Sequence, residues 1–180
     1  MRDRNSTLQI CRPRSNLAVA LLTVLTLAAA ADGPGYRSVS VDVGGRLHIV
    51  TGSGTKILAP KLKWQVRFDD SAISPDRQTV GWLAMYPYPE PPGATYHREP
   101  IPGALVLYRA GRIIHTFQTE QVFWDWQFQD EGKRVAYSTG PTHGGAAECV
   151  LRDVVSGRVV SRWRVKEGSE PPTWAQTLRI

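Results

Sequence analysis

Cysteine is scarce in this chain of 180 residues, which contains only Cys11 and Cys149. Cys11 lies in a segment that we expect to be removed, so the mature chain keeps one cysteine and an intramolecular disulfide is excluded. Cys149 falls in an alternating apolar stretch, where we predict a small buried side chain rather than a nucleophile. The remaining chain, about 150 residues, is long enough to fold around a core without disulfides.

Recognisable catalytic and cofactor motifs are also missing. The sequence has no nucleophile elbow, no His-Glu-x-x-His, no phosphate-binding loop and no dinucleotide-binding glycine pattern. The four histidines show no metal-ligand spacing to one another or to Cys149, and we predict that His48 and His115 face solvent from alternating strands. We therefore predict no cofactor, no metal ion and no catalytic residue.

Dense basic runs are absent after the first segment. The whole chain has 22 basic and 16 acidic residues, a net charge of +6. Removal of residues 1–31 takes away four arginines and Asp3, which leaves 18 basic and 15 acidic residues and a charge of +3. A nucleic-acid partner would need a denser cationic surface, so we predict none. A solvated strand face accounts for the remaining group of basic residues near the end, Arg158, Arg162, Arg164 and Lys166.

No apolar run is as long as a membrane-spanning helix usually requires. The longest, Leu17–Ala31, has fifteen residues, against about 20 for a span. Four arginines precede this run, and small side chains at Ala28 and Ala30 suit a signal peptidase. We predict a signal peptide over residues 1–31, with an uncleaved anchor as the alternative. The mature protein is then periplasmic or secreted, without stable membrane insertion.

Helical periodicity is lacking, and alternation with Pro and Gly turns takes its place. Residues 39–43 and 47–50 alternate on either side of Gly44-Gly45, which predicts an N-terminal hairpin. A second alternating stretch, residues 62–68, predicts a strand with Trp64 and Phe68 on one face. Residues 167–172 break structure before Trp174 and Leu178, which we expect to pack back onto the domain.

A duplicated unit accounts for most of the mature chain. Phe68–Trp82 aligns without a gap on Phe123–Tyr137, 55 residues later, so that Asp70 falls on Asp125. Each copy reads as strand, polar turn and strand, which indicates one structural unit used twice. We predict a single β domain over residues 32–180, with a first repeat at about 62–117, a second at 122–165 and a tail at 166–180. The first copy is longer by an insertion, the loop Tyr86–Pro102.

The run Ile73–Trp82, read as Ile-Ser-Pro-Asp-Arg-Gln-Thr-Val-Gly-Trp, resembles the turn-and-strand core of a WD-repeat-like blade of the Tol-B type found in exported bacterial proteins. Those blades have a glycine where this chain has Arg77, and the second copy restores Gly132 but lacks Ser-Pro. The resemblance implies four-stranded antiparallel blades and a binding role, without shared catalytic residues.

The predicted fold is all-β, with two four-stranded antiparallel propeller-like blades and an N-terminal hairpin. A closed propeller usually has four or more blades, and the chain is too short for them. The assembly is therefore open or sandwich-like rather than a closed ring, and association of two chains remains an alternative.

Loops on a rigid β scaffold are the usual place for recognition. Prolines stiffen the insertion loop Tyr86–Pro102, which lowers the entropic cost of presenting its side chains, and Gly140–Gly145 is the corresponding loop of the second copy. We predict that these edge loops bind a protein, a peptide or another envelope component. The candidate binding residues are Tyr88, Tyr96, His97, Arg98 and His143.

Two other functions stay open at this stage. Asp70 and Asp125 could act as the acid and base of an envelope-polymer hydrolase, with the row Trp124, Trp126 and Phe128, predicted to share one strand face opposite Phe123, as its sugar platform. Side-chain-to-backbone bonding is the simpler role for the two carboxylates, because a residue repeated in each unit serves the unit. The third alternative is a purely structural propeller fragment.

Overall fold

Three antiparallel sheets contain the strands in the computed structural model, which describes residues 35–88, 98–142, 146–166 and 168–180. The N-terminal sheet consists of β1 (Tyr36–Val41), β2 (Leu47–Thr51) and β3 (Lys56–Leu58). The central sheet consists of β4 (Arg67–Ile73), β5 (Thr79–Tyr86), β6 (Ile101–Arg109) and β7 (Arg112–Gln118). The C-terminal sheet consists of β8 (Val122–Gln129), β9 (Arg134–Gly140), β10 (Glu148–Asp153) and β11 (Val159–Arg164).

Within each sheet the strands follow chain order, and none of the three sheets closes into a barrel. Two single turns of 3-10 helix, Asp130–Gly132 and Thr173–Ala175, complete the regular structure of the described residues. The predicted all-β class, with two four-stranded antiparallel sheets in an open arrangement, is confirmed. The N-terminal hairpin is present as β1 and β2, and β3 extends it to three strands.

The central sheet is buried on both faces, because its neighbours pack on either side. On one face, Trp82 and Val106 join Leu47 of the N-terminal sheet in a first core. On the other face, Leu83 and Leu107 pack with side chains of the C-terminal sheet in a second core. The apolar run of β5 is therefore continuous rather than alternating, as expected for a strand covered on both sides. The sheets thus stack face to face.

The two copies of the repeat adopt the same strand pairing. Phe68 pairs with Ala84 in the central sheet, and Phe123 pairs with Thr139 at the equivalent place in the C-terminal sheet. The first strand of each copy also carries one extra residue, between Asp69 and Ala72 in β4 and between Phe123 and Asp125 in β8. A bulge at nearly the same position in both copies is a property of the repeated unit.

The bulge in β8 corrects the prediction for the aromatic row. Phe123 and Trp126, predicted to face opposite sides, are both buried in the second core, at 1% and 5% exposure. The extra residue, Trp124, inverts the alternation of the strand at that point, so residues three apart share a face. Trp124, Trp126 and Phe128 therefore form no common platform.

The strand predicted over residues 62–68 is also corrected, since β4 begins only at Arg67. The preceding residues form a turn in which the Gln65 amide N–H donates to the Leu62 carbonyl oxygen at 3.2 Å. The buried Gln65 side chain accepts from the Leu62 amide at 3.0 Å and donates to the Arg67 carbonyl at 3.1 Å. These bonds replace strand pairing, and Trp64 adopts a left-handed conformation with φ of 68°.

The tail lies across the outer face of the C-terminal sheet, as predicted. Ala175 and Leu178 are buried there with Cys149, and Trp174 packs beside them in a third core. Burial raises the pKa of the Cys149 thiol to about 11, with a smaller contribution from Glu148, which fits the predicted structural role.

Alternate polar side chains of β8 hold the tail backbone. The Gln129 amide donates to the Trp174 carbonyl oxygen at 2.6 Å, and Gln127 bonds the Thr177 hydroxyl. Asp125 accepts from the Arg179 amide at 2.9 Å. This polar face of β8 is therefore a docking face for the chain's own last residues.

Candidate functional site

The predicted recognition loops leave the domain at one end of the sheet stack. At the base of the insertion loop Tyr86–Pro102, Tyr86 pairs with Ile101, where β5 ends and β6 begins. The second loop follows Gly140, which pairs with Val122 where β9 ends and β8 begins. We call this the loop end, and the opposite end, with the short turns such as Ser74–Thr79, the turn end.

A cleft of about 580 Å³ opens at the loop end. Pro102 contributes the end of the insertion loop to its wall, and Thr142 contributes the start of the second loop. The described ends of both loops thus border one space. Apolar side chains make up most of the lining, which consists of Ile101, Pro102, Val122, Phe123, Trp124, Thr142, Arg179 and Ile180.

Trp124 reaches the cleft because of the bulge in β8. As the extra residue of that strand, it is half-buried instead of entering the core between the sheets. Its indole lies on Gly140, where a Cβ atom would be 2.3 Å from the ring. Glycine at position 140 is therefore what allows the ring to lie flat against β9 beside the cleft.

Arg179 supplies the cationic group of the lining. Its backbone amide is fixed by Asp125, whereas its side chain is 81% exposed, with Nε 3.7 Å from the Asp125 carboxylate. A guanidinium has five N–H donors, and a single contact at this distance leaves most of them to solvent. The cleft therefore combines apolar walls with hydrogen-bond donors that suit a carboxylate.

Two of the five predicted binding residues lie within the described residues, and the structure brings them together. The Arg98 guanidinium lies 4.6 Å from the centre of the Tyr88 ring, a cation–π contact across the neck of the insertion loop. Glu99 next to it pairs with Arg67 of β4 at 3.3 Å. The other predicted residues, Tyr96, His97 and His143, lie outside the described residues, and for them the prediction stands as made.

Of the two carboxylates of the hydrolase alternative, Asp125 bonds the backbone at the bulge of its strand. Asp125 Oδ1 accepts from the Trp126 amide at 2.9 Å, and its Oδ2 accepts from the Arg179 amide. In the first copy, Asp69 Oδ1 accepts from the Asp70 amide at 3.0 Å. Neither Asp70 nor Asp125 lines the cleft. Asp125 thus makes the local side-chain-to-backbone bond that repetition predicts, whereas in the first copy Asp69, the neighbour of Asp70, makes it.

Asp70 and Asp125 nevertheless interact across the joint between the two sheets. The Asp70 carbonyl accepts from the Trp126 indole at 2.9 Å. Burial raises the pKa of the Asp70 carboxyl, and the charges of Asp125 and Asp69 add to this effect.

Two histidines, His48 and His115, are predicted to face solvent. His48 is partly exposed and bonds the Asp42 carboxylate at 2.8 Å, on the surface as predicted. His115 is also partly exposed, and its ring contacts a turn of the C-terminal sheet. Its Nε2 lies 3.0 Å from the Val155 carbonyl oxygen, and a Cβ at Gly157 would be 2.6 Å from its ring.

Sequence reasoning missed Trp124 and Arg179 as cleft residues. Trp124 lies at the cleft because of the bulge in β8, which residue alternation does not reveal. Arg179 lies there because of the path of the tail, which the sequence pattern does not give. In the part of the chain that the structure describes, no group of three or more His, Cys, Asp and Glu side chains is arranged to hold a metal ion. No helix among the same residues is long and apolar enough to cross a membrane.

Comparison of the sequence with protein-family models finds no match, and comparison with curated proteins also finds none. The cleft and the loops are therefore the features of this protein that indicate a function.

Proposed function

We propose that this protein is a binding module that takes up an extended segment of a protein partner in the cleft at its loop end. The observation that carries the proposal is the convergence of the described ends of both predicted loops, at Pro102 and Thr142, on one cleft. The volume of about 580 Å³ falls within the range of about 300 to 1,000 Å³ that is usual for ligand sites.

The lining selects the chemistry of the segment. Trp124 and Ile180 offer exposed apolar surface, which an aliphatic or aromatic side chain of the partner would bury. The exposed Arg179 guanidinium offers donors to an acidic side chain beside it. The expected ligand is thus a peptide with an apolar residue next to a carboxylate, and the loops add Tyr88, Arg98, Tyr96, His97 and His143 to its binding.

Selection from a random displayed peptide library tests this proposal with the full chain as bait. We expect enriched peptides to share an apolar residue adjacent to Asp or Glu. A synthetic peptide of that kind should bind Arg179→Ala about tenfold or more weakly, since loss of one charge-assisted contact costs about 1.5 to 3 kcal/mol. Ile180→Asp should weaken its binding by a similar factor, because it replaces apolar surface by a charge that repels the carboxylate of the peptide. Replacement of Tyr96, His97 and His143 by alanine should abolish binding and leave the melting temperature within a few degrees.

Arg112→Ala is the matched control, because Arg112 is exposed at the turn end of the central sheet. Its affinity for the selected peptide should equal that of the unmodified chain. Peptides that bind the cleft variants and the control variant equally would place recognition elsewhere and overturn the proposal.

The proposal includes the origin and location of the module. We propose an exported protein, periplasmic or secreted, whose two repeats derive from blades of the WD-repeat-like Tol-B type. The equal bulges and strand registers of the two copies support a common origin of the repeats. Detection of the mature N-terminus near Ala30 in the exported fraction would test the location.

A further inference from the structure

A second surface, which shares no residue with the cleft, exposes apolar side chains on the N-terminal sheet. Val43 is fully exposed in the turn between β1 and β2, Leu58 is 53% exposed at the end of β3, and Trp64 is 75% exposed in the turn before β4. All three lie at the loop end, because the Tyr36 amide bonds the Arg77 carbonyl and so joins the turn ends of the two sheets. We call this group, with Lys61 and Lys63, the Trp64 patch.

The backbone at Trp64 holds its side chain outward at an energetic cost. A left-handed φ of 68° is strained for a residue other than glycine. The indole gains little packing in return, since it is 75% exposed and Lys63 lies over its ring, with Nζ 5.2 Å from the ring centroid. Strain that supports an exposed aromatic residue, instead of a core contact, points to a ligand.

The chain segment around the exposed indole is basic, although Arg67 at its end is paired with Asp69 at 3.7 Å and with Glu99 at 3.3 Å. Residues 56–67 contain four basic residues and no acidic residue. In the neighbouring turn, Asp42 is already engaged by the Arg46 amide and side chain and by His48. The patch therefore presents an apolar centre with Lys61 and Lys63 beside it, and it suits a partner that is both anionic and apolar.

We propose that the Trp64 patch docks peripherally on an anionic lipid bilayer. Indole rings favour the boundary between headgroups and acyl chains, and lysine side chains extend their charges to the headgroups while their stems stay in apolar surroundings. Each basic residue near an anionic leaflet strengthens the attraction to it. Exposed Val43 and Leu58 would add apolar contact with the bilayer, which a nucleic acid would not provide. This surface is independent of the peptide cleft, and its docking requires no membrane insertion of the domain.

Quenching of tryptophan fluorescence by brominated lipids tests the proposal on the full chain. The probe is a vesicle of phosphatidylcholine and phosphatidylglycerol in a two-to-one ratio, with bromine on the acyl chains. Residues 1–34 contain no tryptophan, so binding of the leader segment to lipid cannot produce the signal directly. We expect the unmodified chain to be quenched and most of that quenching to be lost in Trp64→Gly. Vesicles of phosphatidylcholine alone, or high salt, should also remove most of it.

Three variants make the result decisive. Trp64→Gly suits the left-handed turn, so it should melt at or above the temperature of the unmodified chain. Lys61→Glu combined with Lys63→Glu retains the indole and should also lose most of the quenching. Val155→Ser, which changes an exposed apolar residue at the turn end, should leave quenching unchanged.

Two outcomes would overturn the lipid proposal. Equal quenching of the unmodified chain and Trp64→Gly would show that Trp64 does not reach the bilayer. A dimer in the unmodified chain that Trp64→Gly converts to monomer, with no quenching difference on anionic vesicles, would assign the patch to protein contact instead.

Discussion

At the scale of single residues, Gly132 shows how one copy of the repeat constrains the other. It has φ of 87°, and a Cβ atom there would be 2.8 Å from Asp76 Oδ1 and 2.9 Å from Ser74 Cβ, in the equivalent turn of the first copy. Gly45 has a similar φ of 71° with no atom within 4 Å of the added Cβ.

We expect Gly45→Ala to cost about 1 to 2 kcal/mol of unfolding free energy from strain alone, and Gly132→Ala to cost clearly more because of the clash. Urea denaturation of both variants measures the difference, and equal losses would contradict the contact between the turns.

Asp70 gives a prediction of pH dependence. Its pKa is raised in the folded protein, so the ionised carboxylate is less favourable in the folded than in the unfolded state. This penalty is present at neutral pH and disappears as pH falls below the ordinary aspartate value. Asp70→Asn should therefore raise the melting temperature at about pH 7, and raise it less at about pH 3. Although neighbouring groups partly desolvate the carboxyl, the residue as a whole is exposed, so screening by water should keep the pH-dependent gain below about 1 kcal/mol. A gain that grows as pH falls would refute the sign.

Arg77 occupies a left-handed turn position, and its contacts explain how an arginine is accommodated there. Its φ of 61° is one that glycine adopts without strain. The guanidinium compensates by donating to the Tyr36 carbonyl at 2.9 Å and to the Arg37 carbonyl at 3.2 Å. An arginine at this turn thus fastens the N-terminal sheet to the central sheet.

At the scale of elements, the sequence predicts the strands that have regular alternation or continuous apolar runs, and it fails where side chains bond the backbone. The β5 run and the Gly44-Gly45 hairpin were recognisable because their patterns are local. The turn at Gln65 and the bulge at Trp124 were not, since each depends on one side chain or one extra residue that leaves the apolar pattern intact. Of the candidate site, the loops were predictable from prolines and repeat length, whereas the cleft depends on the tail, whose partners lie 41 to 54 residues away.

The tail is the element whose attachment can be followed most directly, because it covers Cys149. Leu178→Ala should weaken the third core by about 2 to 5 kcal/mol, as other large-to-small core changes do. The tail should then open more often, and alkylation of Cys149 by iodoacetamide should become faster. Peptide mass spectrometry separates this site from Cys11. Leu58→Ala removes an equally large but exposed side chain and should leave the rate unchanged. An unchanged rate in Leu178→Ala would show that something other than the tail protects the thiol.

At the scale of the whole molecule, stability is unevenly distributed because the central sheet supplies one face to each of two cores. Val80, Trp82, Leu105 and Leu107 are fully or almost fully buried, and their strands β5 and β6 have neighbours on both sides within the sheet. The flanking strands β3 and β11 are sheet edges with exposed side chains at most positions. Opening of β5 or β6 therefore disrupts the first and second cores together, whereas fraying of β3 or β11 removes no buried side chain from either of them.

Native-state hydrogen exchange should reveal this arrangement as a gradient of protection from the centre of the stack outward. We expect amides of β5 and β6 to exchange through global unfolding, and those of β3 and β11 through local opening that costs far less free energy. Gly81→Ala provides the perturbation, since its Cβ would be 2.5 Å from the Trp126 ring at the joint between the central and C-terminal sheets. If the stack unfolds as one unit, this variant should lower the protection of β5, β6 and β9 by the same free energy. Loss confined to the C-terminal sheet would instead show that the two repeats unfold separately, as units of a linear array do.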